Sequence, residues 1–171
     1  MIEEFLKPLG LWFLSRHDLT AAEGFTAGLV CGAAFALLES SLALSVASGE
    51  GWLVAAAGRL GTGLLHTFTA GLNGWALVST WREGKFLRQA VVYILTVLVH
   101  GSWNYFALLA GLREAGGQFQ TLVSPGLAAV SPWVLGGLAA LMLAGLTFTN
   151  LKLRTREIPS TLPPELPVVL E

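Results

Sequence analysis

Three stretches of this chain carry no Asp, Glu, Lys or Arg: those between Arg59 and Arg82, between Arg88 and Arg113, and between Glu114 and Lys152. A hydrocarbon core about 30 Å thick is crossed by about 20 mostly apolar helical residues, so each stretch is long enough to span it. A fourth stretch, Gly24 to Gly49, is interrupted only by Glu39. Lipid offers no partner to backbone N–H and C=O groups, and uninterrupted apolar runs of this length point to helices, because barrel strands alternate over about ten residues. With 54% of its 171 residues hydrophobic and only 12% charged, against about a quarter charged in soluble domains, the chain is not built for water. The expected fold is an all-α, polytopic membrane helical bundle.

The N-terminal segment MIEEFLKPLGLWFLS is short, carries Glu3, Glu4 and Lys7, and is interrupted by Pro8 and Gly10. It has neither the basic start nor the small-residue cleavage site of a secretory signal, so it is expected to stay as a short first helix. That makes about five helices, in a domain covering residues 1–151. Residues 152–171 begin with Lys152, Arg154 and Arg156 and turn Pro-rich, which predicts a disordered tail. Cytoplasmic loops collect Lys and Arg. Arg16, the group Arg82, Lys85 and Arg88, and the tail cluster all fall on one side of a five-helix count, against Arg113 and Arg59 on the other. The expected C-terminus is therefore cytoplasmic and the N-terminus outside. Ten basic and eleven acidic residues give a net charge of -1, which leaves no basic field for nucleic acid. A single cysteine, Cys31, excludes a disulfide framework.

Ionisable residues inside spans are costly and mark functional positions. Glu39 lies in the second span, His66 in the third, and His100 with Asn104 in the fourth, the last two at i and i+4 on one helix face. Counted from the outer span ends at 1.5 Å per residue, all four lie roughly 10 to 20 Å deep. Glu3 and Glu4 start the first helix from that side, somewhat shallower. Gly24, Gly28 and Gly32, followed by Ala36, form a small-residue face that reads as a packing seam and would fix Glu39 in place.

A carboxylate beside an imidazole can take a proton from water, while a second imidazole and an amide can donate to the oxyanion formed when that water attacks a carbonyl. These are the parts of peptide hydrolysis without a Ser or Cys nucleophile: Cys31 sits in the glycine seam, and Ser40 and Ser41 have no identifiable base. The same types of group ligate zinc, with Glu4, Glu39, His66 and His100 as the set, although the short His-Glu-x-x-His motif is absent. The preferred expectation is water activated by protein groups, with no cofactor. Two other classes stay open: a haem protein with His66 and His100 as axial ligands, and a non-enzymatic scaffold or transporter with a polar pathway.

Glu3-Glu4-Phe-Leu-Lys7 resembles the EExxK signature of the PrsW intramembrane proteases, and Phe35-Ala36-Leu-Leu-Glu39 resembles their FAxxE motif. The order continues with Arg59 before His66, then His100-Gly-Ser-Trp-Asn104, similar to the later histidine motifs. The likeness covers about residues 1–110, with Ser40 where Asn commonly follows the second-motif glutamate. It implies a place in the wider superfamily of CAAX prenyl endopeptidases and bacteriocin-processing enzymes, in which glutamate-activated water is the favoured mechanism. It further implies a catalytic set of Glu3, Glu4, Glu39, His66, His100 and Asn104, supported by Lys7 and Arg59. The implied partners are a membrane-anchored protein substrate and the lipid bilayer.

Overall fold

The computed structural model describes residues 2–14, 19–45, 52–115, 121 and 123–157. They form α1 (Ile2–Leu6), α2 (Leu9–Leu14), α3 (Ala21–Ser45), α4 (Trp52–Glu83), α5 (Phe86–Ala115) and α6 (Pro125–Glu157), with no strand among the described residues. The all-α bundle expected from the charge gaps is the observed fold. Its first helix is divided in two, because Pro8 has no N–H and its ring crowds the preceding turn. Winding resumes when Leu11 N donates to Pro8 O at 2.9 Å.

Local chemistry sets the other ends. Thr20 and Glu23 form a reciprocal capping box at the start of α3: Glu23 N donates to Thr20 Oγ1 at 3.2 Å, and Thr20 N donates to Glu23 Oε2 at 2.7 Å. Gly84, at φ 68°, supplies the left-handed residue that closes α4, its N–H donating to Thr80 O at 2.7 Å. Pro125 opens α6, where a missing N–H is harmless. Pro132, inside α6, cannot donate to Ala128 O, and Arg113 Nη1 from α5 donates to that carbonyl instead, at 3.4 Å. The helix also outruns the expected domain boundary, continuing through Lys152 and Arg154 to Glu157. Cations suit the negative end of a helix dipole, so the basic cluster extends α6 instead of ending it. The Pro-rich remainder of the tail, together with Arg16, His17 and Asp18 of the first loop, lies outside the described residues.

The bundle is turned outward toward lipid. Phe13 and Trp133 are 81% and 83% exposed, whereas Glu4, Lys7, Thr69 and Asn73 are buried. The helices α3, α5 and α6 are long and apolar enough to cross a membrane. Helix α4 is as long but more polar, and it packs against α3, α5 and α6. The glycine seam is the tightest contact in the fold. A Cβ on Gly24 would stand 2.8 Å from Gly74 O, one on Gly28 would stand 2.9 Å from Gly71 Cα, and one on Gly32 would press on the His66 carbonyl. Small residues let backbones approach where hydrophobic burial supplies no drive.

Gly28→Leu is expected to separate α3 from α4 and lower the thermal midpoint in detergent, overpacking typically costing about 1–3 kcal/mol or more. Gly111→Ala, at an exposed position with open space around it, is expected to leave the midpoint within a degree or two on the same melting curve. Arg113→Met should destabilise by about 1–3 kcal/mol by stranding the Ala128 carbonyl. In a Pro132→Ala background the same substitution should cost little, and a double-mutant cycle without coupling would contradict this reading.

Candidate active site

The site gathers groups from four helices at one level. His66 and His100 each sit near the middle of their helices, α4 and α5. Glu39 is nearer the Ser45 end of α3, and it meets His66 because Cα–Cβ bonds tilt toward a helix N-terminus. Helices α3 and α4 run antiparallel, so Glu39 leans deeper into the membrane while His66 leans outward. Helix α1 places Glu3 and Glu4 at the depth of His100, deeper than the shallower position expected for them. The break at Lys7 and Pro8 leaves Lys7 inside the bundle beside Glu4.

Two carboxylate–imidazole pairs form the centre. Glu39 Oε2 accepts from His66 Nε2 at 2.5 Å, and the same oxygen pairs with Arg59 Nη2 at 2.7 Å. Arg59 is held in turn by Ser40, whose Oγ accepts from Arg59 Nε at 3.1 Å. On the other side, Glu4 Oε1 lies 2.6 Å from His100 Nδ1. Lys7 Nζ donates to that oxygen, and Thr69 Oγ1 donates to it at 3.3 Å. The ammonium of Lys7 also stands 5.6 Å above the Phe35 ring. The two imidazoles meet edge to face, with centroids 5.3 Å apart. Glu3 approaches from the front, its Oε2 being 3.5 Å from His100 Nε2.

This arrangement suits a metal ion. One ligand atom each from Glu3, His66 and His100 falls within a common 4.8 Å. The 3.5 Å Glu3–His100 separation is close to a tetrahedral edge at ligand distances of about 2.1 Å. His66 donates through Nε2, so the lone pair of its ring is on Nδ1. That atom and Glu4 Oε2 are buried without a hydrogen-bond partner, and both are electron donors. Three carboxylates (Glu3, Glu4 and Glu39) face two cations (Lys7 and Arg59), an excess of negative charge that a cation offsets. Three protein ligands with a fourth position open is the pattern of catalytic zinc, and a carboxylate behind each imidazole is the usual way its ring is oriented. The ligand set differs from the one expected from sequence. Glu4 and Glu39 stand behind the histidines, since each is already committed to an imidazole and a cation, which leaves Glu3 as the carboxylate that could hold an ion with the two histidines.

Of the expected residues, Glu3, Glu4, Lys7, Glu39, Arg59, His66 and His100 are brought together, and Asn104 is not. Asn104 is exposed, because at that turn α5 turns Trp103 toward α4. The indole Nε1 donates to Thr62 Oγ1 at 3.2 Å, and the ring lies over Gly61, where a Cβ would stand 2.5 Å away. The face that continues from His100 is therefore i,i+3. Both nitrogens of His100 also face carboxylates, which takes that ring away from the expected role of oxyanion donor. They further argue against haem: carboxylates lie at three of the four ring nitrogens of the two histidines.

Thr69 escaped the sequence reading, as did the contact of Ser40 with Arg59 and a polar thread below the site. In that thread Asn73 Nδ2 donates to Thr96 Oγ1 at 3.0 Å, and Gln89 Nε2 lies 3.5 Å from Asn73 Oδ1. A signal was present in the spacing: Thr62, His66, Thr69 and Asn73 recur at i+3 and i+4 along α4, and Gln89, Tyr93, Thr96 and His100 do so along α5.

No curated protein and no solved structure matches the chain. The family model described as PrsW family intramembrane metalloprotease matches residues 1–134, a stretch that contains every residue of the carboxylate–histidine cluster. A protease family acting within the membrane accounts for a multi-pass bundle with its ionisable groups turned inward at mid-depth, and the chain belongs to that family, the PrsW intramembrane metalloproteases.

Proposed function

We propose that the chain is an endopeptidase that hydrolyses a peptide bond of a membrane-anchored protein substrate where Glu3, His66 and His100 converge. The observation that carries this reading is the convergence of two imidazoles and a carboxylate within 4.8 Å near the middle of the helices, each imidazole backed by its own glutamate. Glu3, His66 and His100 would hold the ion. Zinc bound there would supply Lewis acidity toward the scissile carbonyl and toward water near neutral pH. Glu39 orients His66 and Glu4 orients His100, so each presents a lone pair to the centre. Lys7 and Thr69 keep Glu4 in place, and Arg59 with Ser40 does the same for Glu39.

Exposure supports one choice of proton acceptor. Glu4 is wholly buried, whereas the side chains of Glu3 and Glu39 are 40% and 39% exposed, so these two are not sealed inside the bundle. With Glu3 assigned to the ion, Glu39 would be the carboxylate left to accept the proton from water. Its contacts to His66 and Arg59 both use Oε2, which leaves Oε1 to take the proton. An apolar cleft of about 740 Å³ between α3 and α4, lined by Ala33, Ala36, Ala56 and Gly63, reaches Ser40 and Arg59. Its small side chains leave room for an extended or helical substrate segment arriving from the lipid.

Purified protein is expected to carry about one zinc per chain by elemental mass spectrometry, and His66→Ala, His100→Ala and Glu3→Gln to carry much less. Glu39→Gln should retain the metal yet lose about 100- to 10,000-fold in cleavage of single-span reporter substrates. Metal-free protein with full, chelator-resistant activity would return the chemistry to glutamate-activated water alone. Asn104→Ala should lose less than tenfold, and a loss of about 100- to 1,000-fold would restore it as an oxyanion donor.

The basic end of the bundle is assigned to the cytoplasm on the excess of Lys and Arg there. In a Cys31→Ser background, Lys85→Cys and Ser124→Cys should be labelled by an impermeant thiol reagent from opposite faces of oriented vesicles. Labelling from one face would contradict the topology.

A further inference from the structure

Far from the carboxylate–histidine centre, the helix ends that carry Lys85, Arg88 and Lys152 enclose a cleft of about 540 Å³ bounded by α3, α4, α5 and α6. We propose that this cleft binds the phosphate of an anionic glycerophospholipid drawn from the adjoining leaflet.

The cleft contains a buried polar group with nothing to satisfy it. Ser79 lines the cleft, is 2% exposed, and has no hydrogen-bond partner for its Oγ. A buried hydroxyl without a partner is costly, and a phosphate oxygen is an acceptor that would satisfy it. Around it the charge is favourable. Among the described residues of the lining, Lys85, Arg88 and Lys152 stand with one carboxylate, Glu83. Glu83 pairs with Lys85 at 2.6 Å and with Arg88 at 3.2 Å, so one carboxylate is shared between two of three cationic groups. Arg88 is braced, its guanidinium lying 5.3 Å from the Trp75 ring centroid, while Lys152 Nζ stands 5.6 Å over Phe148. A planar guanidinium fixed on an aromatic face suits a phosphate. Leu72 and Leu153 continue the wall with apolar surface, which fits an acyl chain and favours a lipid over a soluble phosphate. Basic pockets between helices at the cytoplasmic edge are where lipid head groups bind.

The test uses full-length protein in a neutral detergent, titrated with short-chain phosphatidylglycerol while the thermal midpoint is followed. Phosphatidylcholine of equal chain length, glycerol 1-phosphate and inorganic phosphate are the comparison titrants. A saturable rise with phosphatidylglycerol alone is expected. Ser79→Ala should weaken apparent affinity about tenfold, yet leave the lipid-free midpoint unchanged or higher, a combination that a purely structural serine would not give. Arg88→Gln and Lys152→Gln should each weaken it by more than the roughly fivefold that loss of any nearby surface cation produces, with exposed Arg154→Gln as that reference. If Arg88→Gln fails to fold, Lys152→Gln and Ser79→Ala carry the comparison. Three outcomes overturn the proposal: an equal response to phosphatidylcholine, equal affinity for inorganic phosphate or glycerol 1-phosphate, or a Ser79→Ala response like that of the unaltered protein with the cation variants no worse than Arg154→Gln.

Discussion

The contact of α3 with α4 through bare backbone is the constraint on which the site depends. Gly28 lies against the Ala70–Gly71 backbone and Gly32 against the carbonyl of His66 itself. At that spacing the carboxylate of Glu39 reaches His66 without stretching, and Arg59 reaches Glu39 and Ser40 from two turns earlier on α4. A side chain at either glycine would push the helices apart by more than a hydrogen bond can absorb. The seam is thus structural in its chemistry, and its consequence is the 2.5 Å contact that orients one imidazole.

The bilayer adds a second requirement. A charge buried among apolar helices is tolerated only when paired and hydrogen-bonded, and removing one member of such a pair typically costs about 3–5 kcal/mol. Glu4 meets this requirement through Lys7, Thr69 and His100 together. Lys7 follows Glu4 by three residues and so shares its helix face, which makes a local pair part of the long-range network. Trp103 and Gly61 make a comparable pair, with the indole filling the space a missing Cβ leaves, and they set the rotation of α5 that brings in His100 and turns out Asn104.

Both ends of the bundle also use cations to repair or cap helices. Arg113 serves the carbonyl that Pro132 leaves without a donor, and Lys152 with Arg154 lengthens α6 beyond its apolar run. Residues that count only as orientation signals in a charge tally therefore have particular structural partners. At the opposite end from Arg113, Lys85, Arg88 and Lys152 gather round one cleft, because antiparallel neighbours return every second helix end to the same level.

The solvent and the class of fold were legible in the residues alone, since uncharged runs of span length admit little else, and so were most members of the site, because Glu39, His66 and His100 are conspicuous in an apolar background. The sequence also carried the family, through ordered motifs spread over successive helices. It could not assign the parts. Glu3 and Glu4 are adjacent in the chain, and only the pose of a short helix fragment against α5 decides that Glu4 backs His100 while Glu3 faces the centre. Nor could it bring Glu3, His66 and His100 together without a short motif, because they come from α1, α4 and α5 and meet only after packing. Asn104 shows the limit of spacing arguments: i and i+4 share a face, but the rotation of a helix is decided by what its neighbours admit, and here a glycine on α4 admitted Trp103.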